Sequence, residues 1–195
     1  MKFIVGLGNP SDEYVGTRHN IGRDIVVSFG RKFDFSEFEY NKKICASISE
    51  GKIGKEKVML ILPDTYMNKS GLSLKKFITS KKKALDLVVV HDDLDMGFGT
   101  QKIVFNRSSG GHRGVESVIK SIKTTEFPRI KIGISPVTAS GKIKKPKGDR
   151  DVVKHVLGKF GKRDSDLVKK INKKTIDSLE SIVSEGYVLA MNHFN

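Results

Sequence analysis

Residues 2–30 read KFIVGLGNPSDEYVGTRHNIGRDIVVSFG, and this stretch decides the fold. Three consecutive apolar residues, 3–5, run directly into glycines, which indicates a short buried strand. From Thr17, a good N-cap residue, the spacing becomes helical and continues to Gly30, a suitable residue just past a helix end. The apolar positions that give this spacing are Ile21, Ile25, Val26 and Phe29. A strand, a glycine turn and a helix in this order begin an α/β arrangement.

The same alternation of strands and helices continues along the chain. Residues 44–49 and 58–62 flank a polar, glycine-bearing stretch and predict a hairpin. Helical spacing over 72–78 and 115–122 predicts two more helices, and apolar or alternating runs at 85–90, 101–105 and 129–134 predict three more strands. We therefore expect a single three-layer α/β domain over residues 1–195, with helices on both sides of a central sheet.

The last third of the chain divides into a basic segment and an amphipathic one. Residues 135–162 are rich in Gly, Pro and Lys and predict a mobile basic loop. Residues 165–191 carry apolar side chains at helical spacing and predict a C-terminal helix. The loop could face a polyanion or be a solvated insertion without a partner, and the sequence leaves both readings open.

The composition limits the class of protein. The formal net charge of +14 creates a field that attracts polyanions such as nucleic acid, although a lysine-rich composition alone would give the same charge. One cysteine, Cys45, excludes an internal disulfide framework and a thiolate-rich zinc site. The apolar run at residues 3–7 is too short for a signal peptide or a membrane span. We expect a soluble, cytoplasmic protein.

His19 is a candidate general base. It falls in the first turn of the helix that Thr17 would cap, where the positive end of the helix dipole disfavours an imidazolium ion. We therefore expect a neutral, basic ring near pH 7, able to deprotonate water. The alternative is a surface histidine that merely begins a helix.

An acidic cluster, His-Asp-Asp-Leu-Asp at 91–95, follows the predicted strand 85–90. One carboxylate could orient His19, or Asp92, Asp93 and Asp95 could together hold Mg²⁺ for phosphoryl chemistry. A third reading is an ordinary polar turn. A chelator distinguishes the first two, because EDTA inactivates only an enzyme that needs the metal.

Other polar groups lie next to predicted helix or strand ends. The glycine turn at 6–10 lacks the third glycine and the later acidic residue of a dinucleotide fingerprint, but it presents Asn9 at a strand's carboxyl end. Residues 67–71 and 108–114 precede helical patterns, so Asn68 could donate to an oxyanion and Arg113 could contact a phosphate or a base. Helix capping is the alternative for both stretches. No serine lies in a nucleophile elbow.

Four blocks of this sequence resemble bacterial peptidyl-tRNA hydrolases, and they occur in that family's order and at its spacings. The similarity covers nearly the whole chain, down to the closing Met-Asn-His-Phe-Asn at 191–195. The blocks are IVGLGNPSDEYVGTRHNIG at 4–22, PDTYMNKSG at 63–71, HDDLDMGFG at 91–99 and GGHRG at 110–114.

The resemblance implies a monomeric, phosphorylase/hydrolase-like fold with a mixed sheet and no metal or other cofactor. It implies hydrolysis of the ester between a peptide and the terminal ribose of tRNA, so the expected partner is peptidyl-tRNA, with no membrane. It places the catalytic base at His19 and its orienting carboxylate at Asp92. The residues that it places on the substrate are Asn9, Tyr14, Met67 and Asn68, with Lys131 on the 5′ phosphate of the tRNA.

Two departures from the family pattern leave questions. Arg113 stands where many members have asparagine, and arginine cannot accept a hydrogen bond. The second basic position of the phosphate site falls on Val104, with Lys102 and Arg107 nearby. We expect Lys102, Arg107 and Lys131 to contact tRNA phosphates, together with Lys142, Lys144 and Lys145 of the basic loop. A rival of another class is an RNA-binding module without activity.

Overall fold

Seven strands form one mixed sheet in a computed structural model that describes residues 1–195. The strands are β1 Lys2–Gly6, β2 Glu39–Asn41, β3 Ala46–Ile53, β4 Glu56–Pro63, β5 Leu87–Gly97, β6 Gln101–Phe105 and β7 Pro128–Ser135. Their spatial order is β2-β3-β4-β1-β5-β7-β6. The central strands β4, β1, β5 and β7 run parallel, and the other pairs are antiparallel.

Six α-helices accompany the sheet, with short 3₁₀ helices between them. The α-helices are α1 Ile21–Lys32, α2 Lys81–Ala84, α3 Arg113–Ile122, α4 Asp149–Leu157, α5 Ser165–Glu185 and α6 Tyr187–Phe194. The 3₁₀ helices are Asp12–Tyr14, Arg18–Asn20, Met67–Leu74 and Lys162–Asp164. No helix is both long and apolar enough to cross a membrane.

Alternate residues of the central strands bury into two separate apolar clusters. In β5, Val88 and Val90 belong to the cluster that includes α1 and α5, whereas Leu87 and Val89 belong to the cluster beneath α3. Successive side chains of a strand point to opposite faces, so the two clusters are the two sides of the sheet. The predicted three-layer α/β fold with a mixed sheet is confirmed.

The start of α1 is held against Val90 of β5, level with the end of β1, by backbone contacts. A Cβ atom on Gly22 would lie 2.3 Å from the carbonyl oxygen of Val90, so only glycine permits this approach. The same carbonyl accepts the N–H of Leu7 at 3.0 Å, and the carbonyl of Leu7 accepts the N–H of Arg23 at 3.0 Å. The turn that carries His19 is therefore fixed beside Val90 of β5.

Two elements differ from the sequence-based expectation between residues 67 and 97. The predicted helix over 72–78 is replaced by the 3₁₀ helix Met67–Leu74. The strand expected to stop at Val90 continues to Gly97, because β7 pairs with it through Asp92 and Asp93. The acidic cluster therefore lies largely within a strand, and its neighbouring carboxylates point to opposite faces.

The C-terminal third also differs in part. The loop expected over 135–162 contains α4, because Val152 and Val156 pack into the cluster on the α1 side. The helix expected over 165–191 is two helices, interrupted at Gly186 with φ of 92°. The mobility of the remaining basic segment stays a prediction.

The outer edge of β6 is paired with a side chain. The carboxamide of Asn195 accepts the N–H of Ile103 at 2.7 Å and donates to its carbonyl at 3.0 Å. Nearby, Tyr187 of α6 stacks on Phe105, with ring centroids 4.6 Å apart. The helix α6 is thus held along the β6 edge of the sheet.

Candidate active site

One cavity of about 450 Å³ lies beyond the carboxyl ends of β1 and β4 and beside the middle of β5. β1 leads to Asn9, β4 leads to the start of the 3₁₀ helix Met67–Leu74, and β5 carries Asp92. This is the edge at which open α/β sheets commonly place their sites. Of the residues predicted from sequence, the cavity is lined by Asn9, His19, Met67, Asn68, Asp92, Arg113 and Lys145.

One buried carboxylate oxygen joins two histidines. Oδ1 of Asp92 lies 2.9 Å from Nδ1 of His19 and 2.9 Å from Nε2 of His112. The side chain of Asp92 is only 2% exposed, compared with 15% for His19. The predicted pair of His19 and Asp92 is therefore brought together, and His112 joins it as a third member that the sequence analysis missed.

The pair determines the protonation behaviour of both partners. Burial raises the pKa of Asp92, but the charges of His19 and His112 and their hydrogen bonds outweigh it and hold this pKa well below its ordinary range. Burial lowers the pKa of His19, but the charge and hydrogen bond of Asp92 outweigh burial and the opposing charge of Arg113. The pKa of His19 is therefore raised by the Asp92 carboxylate, rather than lowered by the end of a helix as the sequence suggested.

His19 lies in a 3₁₀ turn that precedes α1 rather than in the first turn of that helix. Thr17 does not cap the turn, because its hydroxyl donates to the carbonyl of Tyr14 at 2.8 Å. The N–H of Arg18 donates to the carbonyl of Gly158 at 3.0 Å, which ties the turn to the end of α4. Nδ1 of His19 is used by Asp92, and Nε2 has no partner within the chain. The second nitrogen is thus free to act in the cavity.

Two carboxamides face the same cavity. Oδ1 of Asn9 accepts the N–H of Met67 at 2.8 Å, which leaves its Nδ2 without a partner in the chain. The carboxamide of Asn20 fixes the Asn9 backbone through two bonds of 2.9 Å. The exposed side chain of Asn68 makes no hydrogen bond within the chain. Both amides can therefore donate to a bound substrate.

The segment before α3 is held by a buried arginine that the sequence analysis did not single out. Arg129 is 1% exposed, and its guanidinium donates to the carbonyls of Arg107 at 2.6 Å and Ser108 at 3.0 Å. Burial lowers the pKa of Arg129 to about 10, despite the opposing charge of Asp93. The segment leads to Arg113, the first residue of α3, which is exposed and makes no ion pair.

An apolar wall closes the far side of the cavity. Four residues of α4, Val152, Val153, Val156 and Leu157, line it, as does the exposed Tyr66. The sequence analysis treated this segment as a loop and therefore missed the wall. The signal that could have found it is the spacing of these four apolar residues, which is that of one helical face.

The remaining predicted residues lie outside the cavity lining. Tyr14 is half-buried in the 3₁₀ helix Asp12–Tyr14. Lys102 and Lys131 are cross-strand neighbours on β6 and β7, and Lys131 forms an ion pair with Asp93. The basic side chains of Arg107, Lys142 and Lys144 are exposed and form no ion pair, whereas Lys145 pairs with Asp95.

The acidic residues do not converge on a cation site. Asp92 faces two histidines, whereas Asp93 and Asp95 each face a lysine. The one group with metal-ligand spacing is His19, Asp92 and His112, whose ligand atoms lie within 4.8 Å of one another. Nδ1 of His112 already accepts two backbone N–H groups, so its neutral ring carries the proton on Nε2 and offers no lone pair there. These residues suit a hydrogen-bonded triad better than a metal.

The geometry defines a class of enzyme. A histidine is oriented by a buried carboxylate beside two donor carboxamides, and no serine or cysteine is hydrogen-bonded to its ring. Such a site suits hydrolysis by an activated water molecule.

Comparison with known proteins identifies the family. The family model described as peptidyl-tRNA hydrolase matches residues 3–195. Peptidyl-tRNA hydrolases of Dehalococcoides mccartyi and Clostridium novyi are 38% and 39% identical, over all of this chain and 100% and 98% of their own lengths. The crystal structure of the Acinetobacter baumannii peptidyl-tRNA hydrolase is 31% identical with a TM-score of 0.87, and covers 100% of this chain and 94% of its own. The chain belongs to the peptidyl-tRNA hydrolase family.

Replacing Asp92 with asparagine should lower the pKa of His19. The substitution removes the negative charge that raises this pKa, while burial and Arg113 continue to lower it. We expect the pKa to fall below the ordinary value of about 6.5 and turnover to decrease because the ring loses its orientation. NMR titration of the imidazole resonances measures the shift. A pKa equal to that of the unmodified protein would contradict the assigned ion pair.

Proposed function

We propose that this protein hydrolyses the ester bond between a peptide and the 3′-terminal ribose of tRNA, which recycles peptidyl-tRNA released from ribosomes. The observation that carries the proposal is the His19–Asp92 pair, whose free ring nitrogen faces the cavity in a chain that matches the family over its full length. The curated relatives carry the name peptidyl-tRNA hydrolase, which agrees with this reaction.

The proposed chemistry begins at Nε2 of His19, which takes a proton from water while Asp92 holds Nδ1–H. The resulting hydroxide attacks the ester carbonyl carbon and forms a tetrahedral oxyanion. When the intermediate collapses, the bond to the ribose 3′ oxygen breaks, and this oxygen takes the proton from the His19 imidazolium. The products are a tRNA with a free 3′ hydroxyl and a peptide carboxylic acid, which loses its proton to the solvent and leaves as the carboxylate. No covalent enzyme intermediate is needed.

The carboxamides have separate roles in this proposal. Asn68, with nearby backbone N–H groups, donates to the oxyanion, where a fixed donor stabilises charge that develops only in the transition state. Asn9 binds the ester-bearing end of the substrate through Nδ2, since its Oδ1 is occupied by Met67. Tyr14 and Met67 contribute to the substrate cleft, and the apolar wall of α4 suits the peptide side chains or the terminal base.

The tRNA body is proposed to bind by charge rather than by sequence. Lys102 and Lys131 form one basic pair on the sheet, and Lys131 is the register partner of His91, next to Asp92. Arg107 and the basic segment residues Lys142, Lys144 and Lys145 supply further cations. Contacts to phosphates are sequence-independent and suit a substrate class that includes every tRNA. Lys131 and Lys145 would exchange their carboxylate partners for phosphate on binding.

Two further properties complete the proposal. We place the protein in the cytoplasm, where a reducing environment suits its exposed free thiol at Cys45. We also propose that it acts as a monomer and without a metal, since the cavity, the base and both carboxamides come from one chain. The rival Mg²⁺-dependent chemistry would need Asp93 and Asp95 to leave their lysine partners. Hydrolysis that persists in EDTA would exclude that rival.

His19→Ala should reduce turnover by about 10²- to 10⁴-fold, because the general base is lost. Binding of the tRNA should change little, since the ring contributes to the chemical step. The assay is hydrolysis of N-acetylated aminoacyl-tRNA, with free aminoacyl-tRNA as the control substrate. Retained turnover in a correctly folded variant would refute the mechanism, and failure of the unmodified protein to hydrolyse the blocked substrate would favour a module that only binds RNA.

Neutralising the basic segment should flatten the salt dependence of tRNA binding. Changing Lys142, Lys144 and Lys145 together to glutamine removes up to three phosphate contacts, each of which contributes somewhat less than one unit to the log–log slope. Hydrolysis of a minimal ester should barely change. The matched control changes Lys81, Lys82 and Lys83 of α2, which precedes β5 at the opposite end of the strands. If the slope of the Lys142, Lys144 and Lys145 variant equals that of the unmodified protein, the basic segment faces solvent.

Arg113→Ala should raise KM for peptidyl-tRNA and leave kcat within a few fold. A guanidinium at the cavity wall can hold a phosphate or stack on a terminal base equally well in ground and transition states. Arg113→Asn should remain active. A collapse of kcat at unchanged KM in the alanine variant would instead assign Arg113 to the oxyanion.

A further inference from the structure

Both ring nitrogens of His112 form hydrogen bonds within the chain. Nδ1 accepts the backbone N–H groups of Gly114 at 3.1 Å and Val115 at 3.2 Å and thereby caps α3. Nε2 lies 2.9 Å from Oδ1 of Asp92, and the side chain is only 8% exposed. Because Nδ1 serves as an acceptor, the neutral ring carries its proton on Nε2 and donates it to Asp92.

Oδ1 of Asp92 consequently receives two imidazole donors. The second donor is Nδ1–H of His19, at the same distance of 2.9 Å. Both hydrogen bonds are made to the same negatively charged oxygen. Each donor partly offsets its charge, and this reduces the strength of the other hydrogen bond. The bond from His112 therefore weakens the attraction between Asp92 and an added proton on His19.

We propose that His112 is a positioning residue that fixes the Asp92 carboxylate and limits how strongly this carboxylate holds His19 in its protonated form. A general base must be deprotonated at the working pH and still attract a proton from water. Asp92 acting on His19 alone would favour the imidazolium and leave less of the active base. His112 both caps α3 and donates to Asp92. The position of α3 therefore influences how strongly Asp92 favours the protonated form of His19.

Other charged groups near His19 act at longer range. Arg113 of α3 opposes protonation of His19, and Asp93, Lys145 and Asp149 line the same cavity. The guanidinium of Arg18 is turned away, onto the ring of Phe160 and the carbonyl of His155. The ring of His91 packs edge-on against His112 at 4.8 Å, and burial together with His112 keeps the pKa of His91 well below its ordinary value. Within the chain, only His19 and His112 hydrogen-bond to Oδ1 of Asp92.

Two substitutions separate the roles of the two ring nitrogens. His112→Asn keeps a side-chain acceptor for the helix cap, but it is too short to reach Asp92. His112→Gln places an amide donor near the position of Nε2 and gives up the cap. His112→Ser is a second variant with a cap and no donor, in case the asparagine protein folds poorly. Thermal unfolding of each variant reports whether α3 remains in place.

The measurement is the pKa of His19 by NMR titration of the free protein, together with the acid limb of kcat/KM for peptidyl-tRNA. With His112→Asn or His112→Ser, the His19 pKa and the acid limb should both rise by about half a unit or more. Below the limb kcat/KM should fall about threefold or more. With His112→Gln, both values should stay at those of the unmodified protein.

Several results would overturn the inference. An unchanged or lowered His19 pKa in the asparagine and serine variants would show that His112 does not compete for Asp92. An equal rise in the glutamine variant, which keeps a donor, would show that the hydrogen bond to Asp92 does not limit the His19 pKa. Only the kinetic part rests on the proposed function. If His19→Ala retained turnover, the proposed function would fail, whereas the titration would still test the coupling.

Discussion

The ionised carboxylate of Asp92 is the constraint on which the site depends. A charge buried to this extent costs several kcal/mol unless it is paired and hydrogen-bonded. The chain meets this requirement with two imidazoles from different elements, His19 from the turn before α1 and His112 from the start of α3. The requirement therefore sets where both helices begin relative to β5. The cavity is the space that remains between them and α4.

Competition between short-range and long-range electrostatics decides the state of His19. A helix terminus contributes about 0.3–1 kcal/mol at an exposed position, whereas a hydrogen bond to a charged group contributes about 1.5–3 kcal/mol. The carboxylate contact therefore prevails, and the pKa of His19 is raised although a helix begins two residues later. The buried carboxylate thus has more influence on the protonation of this ring than the nearby helix end has.

Much of the fold and the centre of the site could be predicted because their signals are local. Apolar periodicity located β1 and α1, and the rule that sites lie at strand ends placed Asn9 and the aspartates at one edge. The role of His112 could not be read in this way, since it depends on a helix start and on a carboxylate 20 residues away. Arg129 is similar, because its partners are carbonyls of another segment. The helix α4 was missed because lysines and glycines around it dominate the local composition.

The pairing of Asn195 with β6 bears on how the folded protein resists aggregation. The unpaired N–H and C=O groups of an open strand edge are a template for pairing with other chains. A carboxamide can pair with these groups because it carries the same donor and acceptor as a peptide unit. The opposite edge, β2, is only three residues long, so neither margin of the sheet offers a long free ladder. For another chain to add a strand beside Ile103, Asn195 would first have to leave the edge of β6, and α6, which ends next to it, would have to shift.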